Sequence, residues 1–123
     1  MPLEPGAINT PGAVITRPDL SGPGGDLVGT PPTIATVDAL REPRNDLFRR
    51  DDGVEIVVTA RFSFSVPRTF DGAVIEVVVG DWITWTNYAG VDVDPQEIFT
   101  LEPIFDCDQV VDQLVASVGR PGA

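Results

Sequence analysis

The chain has 123 residues and a net charge of −11, from nineteen acids against eight arginines, with no lysine, no histidine and one cysteine. That balance repels nucleic-acid phosphates and excludes affinity by counterion release. It also leaves Cys107 and the serines without a histidine or lysine base, permits no disulfide within one chain, and fits one small domain near the size where help from neighbours is needed.

Residues 1–32 hold seven of the twelve prolines and six of the twelve glycines, and every aromatic residue falls between Phe48 and Phe105. Such a backbone is costly to order and has few apolar groups to offset the cost. The expectation is an extended Pro/Gly-rich arm over residues 1–47, with a β-domain over 48–118 and a tail over 119–123. The pieces "AVIT", "DLV" and "TIATV" favour β structure and suit pairing with another molecule's sheet edge. Val14, Ile15, Leu27, Val28, Ile34 and Val37 are therefore the arm's candidate partner-binding residues. The start "MPLEPGAINTPG" carries no positive n-region or apolar h-region, and no apolar run approaches the roughly 20 residues of a membrane span. A soluble protein without a cleaved secretory signal is expected.

Arginine is concentrated in residues 41–68, six against five acids, whereas residues 69–123 hold one arginine against ten acids. Arg41, Arg44, Arg49 and Arg50 are read as pairing with Glu42, Asp46, Asp51 and Asp52 beside them, or else as a docking patch for an acidic partner. The all-arginine cation set also follows from a GC-rich genome.

The strongest periodic signal is "VEIVVTARFSFSV", residues 54–66. Its even positions are all apolar and its odd positions, Val57 aside, are polar, which specifies one long strand with a buried face and no bulge. Pro67 ends it. After the turn pair Asp71-Gly72, "AVIEVVV" reads as a second strand, joined through Gly80-Asp81 to "WITWT" as a two-residue hairpin that sets Val79 opposite Trp82 and Glu76 opposite Trp85. Trp85 then lies on a face that needs a second layer or a partner, and joins the partner-binding candidates.

"NYAGVDVDPQE" reads as a loop, "IFTLE" as a short strand stopped by Pro103, and residues 106–118 as a helix. Asp106 is its N-cap, Val110, Leu114 and Val118, with Val111 and Val115, form its apolar stripe, and Gly119 follows as C′. The fold expected is mainly β: a small antiparallel barrel or sandwich with one C-terminal helix and the long extended N-terminal arm.

No catalytic set, phosphate loop, dinucleotide fingerprint or zinc spacing is present, so no enzyme activity and no cofactor are expected. Asp92, Asp94 and Glu97 can offer oxygen ligands to calcium, although they lack the EF-hand spacing, and a solvated acidic loop is favoured.

"FSFSVPRTFDGAVIEVVVGDWITW" resembles the centre of the small β-barrel head-tail connector proteins of tailed bacteriophages, in which a strand ends at proline and a later strand enters through Gly-Asp. "YAGVDVDPQEIFTLEPI" is similar to that family's tyrosine-initiated strand, acidic loop and closing strand, and the arm resembles those of capsid decoration proteins. The resemblance implies a structural protein, made in the host cytoplasm and built into the virion as one of several copies. It also implies other virion proteins (portal, adaptor, capsid or tail) as partners, with no sequence-specific nucleic-acid binding and no membrane. A capsid decoration protein is the first alternative. The second is a stand-alone β-domain that binds a saccharide or small ligand through Trp82, Trp85 and Tyr88.

Overall fold

In a computed structural model, residues 8–49, 53, 55–87, 89–105 and 111–119 are described. They form six strands: β1 (Thr10–Thr16), β2 (Thr33–Arg49), β3 (Glu55–Ser65), β4 (Trp82–Thr84), β5 (Gln96–Phe105) and β6 (Val111–Gly119). All pairings are antiparallel, in the order β1-β2-β3-β6-β5-β4, and β4 pairs back to β1, which closes the sheet into a barrel. No helix among the described residues is long and apolar enough to cross a membrane.

β3 follows the alternation of its sequence. Ile56, Val58, Ala60, Phe62 and Phe64 are buried, and the residues between them are exposed or half-buried. The register is smooth along β3; the one shift lies on β2 between Pro43 and Asp46, where an extra residue bends the longer strand. Phe62 and Phe64 fill the interior with Ile15, Val37, Ile83, Ile98 and Val118. Ala13, Ala35, Ala39, Ala60 and Ala116 share that interior. Small residues beside the phenylalanines, Ala39 paired with Phe64 and Ala116 with Phe62, leave a narrow barrel room for two phenyl rings.

Three expectations are corrected. Within the arm expected over residues 1–47, residues 10–16 and 33–47 are not held apart from the core, while residues 1–7 lie outside the described residues. β1 pairs with β2 and β4, β2 pairs with β3, and Ala13, Ile15, Ala35, Val37 and Ala39 are buried in the same core as Phe62. The core residues of this segment are small or aliphatic, and Ala39 lies beside Phe64 in the register. Residues 17–32 do form a long connection, with a 3-10 turn at Pro23–Gly25.

The C-terminal helix is also absent. Asp106 to Val110 lie outside the described residues, but Val111–Gly119 is strand β6, paired to β3 on one side and β5 on the other. Leu114, Ala116 and Val118 face the core with period two. Val111 and Val115 added a helical spacing by coincidence, whereas valine is better suited to a pleated surface. Gly119 is not a helix cap. It pairs with Glu97, and a Cβ there would run into the Val57 carbonyl oxygen and lie 2.7 Å from Phe99 Cε2. Phe99 is the extra residue of a bulge in β5, between Ile98 and Thr100.

The 73–79/82–85 hairpin is the third correction. Residues 75–81 are in no strand, and β4 pairs with β1 and β5 instead. Asp81 folds the chain back on itself: its carboxylate accepts the Val78 N–H at 2.9 Å, and its own N–H donates to the Val78 carbonyl at 3.1 Å. Arg17 donates to the Glu76 carbonyl at 3.0 Å, and backbone bonds from Ile75 N–H to the Pro67 carbonyl and from Gly80 N–H to the Ile98 carbonyl, each 2.9 Å, tie the rest of the segment without a hairpin ladder. β5 runs through Pro103 to Phe105 because past Glu97 it has only β6 as a strand partner, an edge position where proline is tolerated.

Candidate functional site

The barrel has two dissimilar ends. At the first, where β3 finishes, residues 66–81 cross the opening before entering β4. Arg68 and Val74 form an isolated bridge around a turn in which Thr69 N–H donates to the Ala73 carbonyl at 2.8 Å, Gly72 N–H to the Thr69 carbonyl at 2.9 Å, and the Thr69 hydroxyl to Asp71. That last bond holds the Asp71 carboxyl below its ordinary range. Gly72, at φ +92°, supplies a conformation that few L-residues adopt. This hydrogen-bonded turn carries Phe70 at its tip with the ring wholly in solvent, 110% exposed relative to the reference state.

Behind the turn lies a mostly apolar groove of about 350 Å³, lined by Val66, Val74, Ile75 and Val77 and by Leu101, Pro103, Val111 and Leu114, with Glu76 its one charged residue. Val74, Val78, Val79, Ile104 and Phe105 are exposed on the loop and on the end of β5. Apolar groups collected in this way are the usual mark of a contact surface, where scattered ones are not.

The second end is the mouth beside β4. Asn9, Thr10, Pro11, Arg41, Trp85, Thr86 and Asn87 line a cavity of about 370 Å³ there. Arg41 sits opposite Phe62 in the β2–β3 register and so shares its inward face. Its guanidinium lies over the Trp85 ring, 5.6 Å from the centroid, and Phe62 meets the same ring edge-on at 5.0 Å and 61°. The Arg41 backbone is held by Asn9, whose side chain accepts its N–H at 2.7 Å and donates to its carbonyl at 3.0 Å.

The residues singled out in the sequence do not converge. Ile15 and Val37 are core side chains, and Ile34 and Trp85 pack against that core. Val14 is half-buried on β1, and Leu27 and Val28 are exposed on the 17–32 connection. Trp82 and Trp85 lie either side of inward Ile83 in different settings. Trp85 is in contact with Phe62, whereas Trp82 occupies the alternate face of β4, and its indole N–H is buried with no acceptor among the described residues. They form no shared aromatic platform, and Tyr88, like Cys107, lies outside the described residues.

In the acidic loop, Asp92 accepts the Thr86 hydroxyl at 2.8 Å and Glu97 belongs to β5. Among the described residues no group of three acids or thiols is placed to hold a metal ion. Arg44 pairs with Glu42 at 3.3 Å and Arg49 with Glu55 at 2.7 Å, while Arg50, Asp51 and Asp52 lie outside the described residues. Sequence reasoning missed Phe70 and the contact of Arg41 with Trp85. The signal for Arg41 was present: neighbours on a strand point to opposite faces, so it could not share a face with Glu42.

No protein-family model, curated protein or solved structure matches this chain.

Proposed function

We propose that this chain is a structural subunit of a tailed-phage particle, a component of the head-tail connector ring that docks on other virion proteins and performs no catalysis. The observation that supports it is the apolar end of the barrel, with Phe70 on a hydrogen-bonded tip above an apolar groove. Large aromatic side chains on rigid tips are what interfaces bury to greatest effect. Docking by strand addition from an N-terminal arm is replaced in this reading, because β1 and β2 spend their hydrogen bonds inside their own barrel. Docking passes to the 69–72 turn and the groove behind it. Acidic residues over the rest of the surface would let DNA pass such a ring without adhering.

Imaging of purified particles with a gold-labelled antibody to this chain tests the proposal. Label at the head–tail junction is the expected outcome, label over the shell moves the assignment to a capsid decoration protein, and absence from particles overturns both. The saccharide reading has no observation in its favour, since the one indole in the mouth already has a guanidinium against its ring.

A further inference from the structure

We propose that the mouth beside β4 is a binding site for a carboxylate group, held by the guanidinium of Arg41 against the ring of Trp85. The interior face of β2 runs Ala35, Val37, Ala39 and then Arg41, a cation where the pattern calls for a core residue. This chain carries nineteen acids, yet the ion pairs among its described residues use Arg17, Arg44 and Arg49, and Arg41 has no acidic partner there. Its guanidinium lies against the Trp85 ring that Phe62 braces, and its backbone is held by the two bonds to Asn9. A guanidinium against an indole ring, with no acidic partner among the described residues and facing a cavity of about 370 Å³ at a barrel mouth, has the features of a ligand site.

The chemistry of the site selects the ligand. A guanidinium presents two parallel N–H donors that match two carboxylate oxygens. Asn87 commits its side-chain oxygen to the N–H groups of Ala89 and Val91, which leaves its NH₂ as a further donor at the rim. One cation in a chain of net charge −11, with Asp92 bonded to Thr86 at the same rim, disfavours a phosphate dianion or a polyanion. The carboxylate comes either from a free small acid or from an acidic side chain of a second copy. The site does not depend on the connector reading.

The test follows the Arg41 Nε–H and Trp85 Nε1–H signals of the full chain by NMR during titration with sodium acetate, with sodium chloride and sodium phosphate at matched ionic strength. Acetate is expected to shift both signals saturably, and chloride only weakly and linearly. Arg41→Gln should abolish saturation, Arg41→Lys should weaken it at least about tenfold because the fork is lost while the charge remains, and Arg44→Gln should leave it unchanged. Equal shifts with chloride, tighter saturation by phosphate, or wild-type behaviour of Arg41→Lys would overturn the assignment. Sedimentation with and without saturating acetate separates the sources: self-association that acetate disperses identifies a second copy's acid, and an unchanged sedimentation profile with saturable acetate identifies a free carboxylate. Saturable acetate binding by a chain absent from particles would sink the connector reading and leave this one standing.

Discussion

Arg17 and Asp81 form a two-pronged ion pair between the end of β1 and the start of its neighbour β4, Nε to Oδ1 at 2.9 Å and Nη2 to Oδ2 at 3.0 Å. The two residues are unequal. The Asp81 side chain is 1% exposed and the Arg17 side chain 46%. The hydrogen bond from Arg17 to Asp81 raises the Arg17 pKa against the opposing effect of desolvation, so the arginine stays charged at any ordinary pH. Removing Arg17 strands a buried carboxylate with the Val78 N–H, whereas neutralising Asp81 lets Arg17 turn to water. Arg17→Met should therefore cost about 3 kcal/mol, the low end for a broken buried pair because half of the arginine is already solvated. Asp81→Asn keeps the acceptor for Val78 and should cost about 1–2 kcal/mol. Urea denaturation of the two variants gives the order, and a costlier Asp81→Asn would show that the charge on Asp81 is not what the fold must neutralise.

Gly119→Ala should destabilise by about 1–3 kcal/mol. The added methyl meets the Val57 carbonyl oxygen, which is backbone and cannot turn away, and the Phe99 ring. An unchanged thermal midpoint would mean that Phe99 does not lie across β6.

The β3 strand was legible because its inward positions are large and its outward ones polar, so period two stood out. β1 and β2 were not, since their inward residues are mostly alanine and valine and no hydropathy contrast marks the buried face. The Val-rich β6 mixes an inward row, Leu114, Ala116 and Val118, with outward Val115, while Val111 lies beyond a register shift and lines the groove with Leu114; two strand partners override the helical spacing. Asp81 beside Gly80 has the composition of an exposed turn. Its burial depends on Arg17, 64 residues away, a partner that no local window contains. At the mouth, Trp85 is legible from the sequence, but Arg41 reads there as pairing with Glu42 or as part of an acidic-partner patch, and only the phase of β2 sets it beside Trp85.

Deleting residues 1–40 should abolish cooperative unfolding. The deletion removes β1 and the first half of β2, opens the barrel on both sides of the gap, and exposes Phe62 and Phe64. Near-ultraviolet circular dichroism and a thermal scan read the loss. A transition kept within a few degrees would mean that residues 48–118 fold alone and that the barrel wall is dispensable.

Acid should loosen the turns before the barrel. Asp71, bonded by the Thr69 hydroxyl, and Asp19, bonded by the Ser21 hydroxyl and backbone, both have pKa values below the ordinary 3.8. Since the folded values are the depressed ones, the stabilisation is complete above pH 3.8 and is lost as pH falls through the folded values. Amide exchange at Ala73 and Ser21, whose N–H groups bond Thr69 Oγ1 and Asp19 Oδ1, should rise below about pH 4 relative to β3 amides after correction for intrinsic rates. Uniform protection down to pH 2 would remove the two carboxylates from the account.

Phe70→Ser should separate folding from assembly. The ring touches solvent on all sides and its turn is held by Thr69, Asp71, Gly72 and Ala73, so the stability change should stay within about 0.5 kcal/mol. If the ring is an anchor in a neighbour's pocket, truncation should cost incorporation into particles at least about tenfold, the effect of losing 1.4 kcal/mol or more at a buried aromatic contact. Quantitative mass spectrometry of particles assembled with each variant measures it. Normal incorporation of Phe70→Ser would move the docking surface away from this tip, and a large loss of stability would show that the ring packs within its own chain.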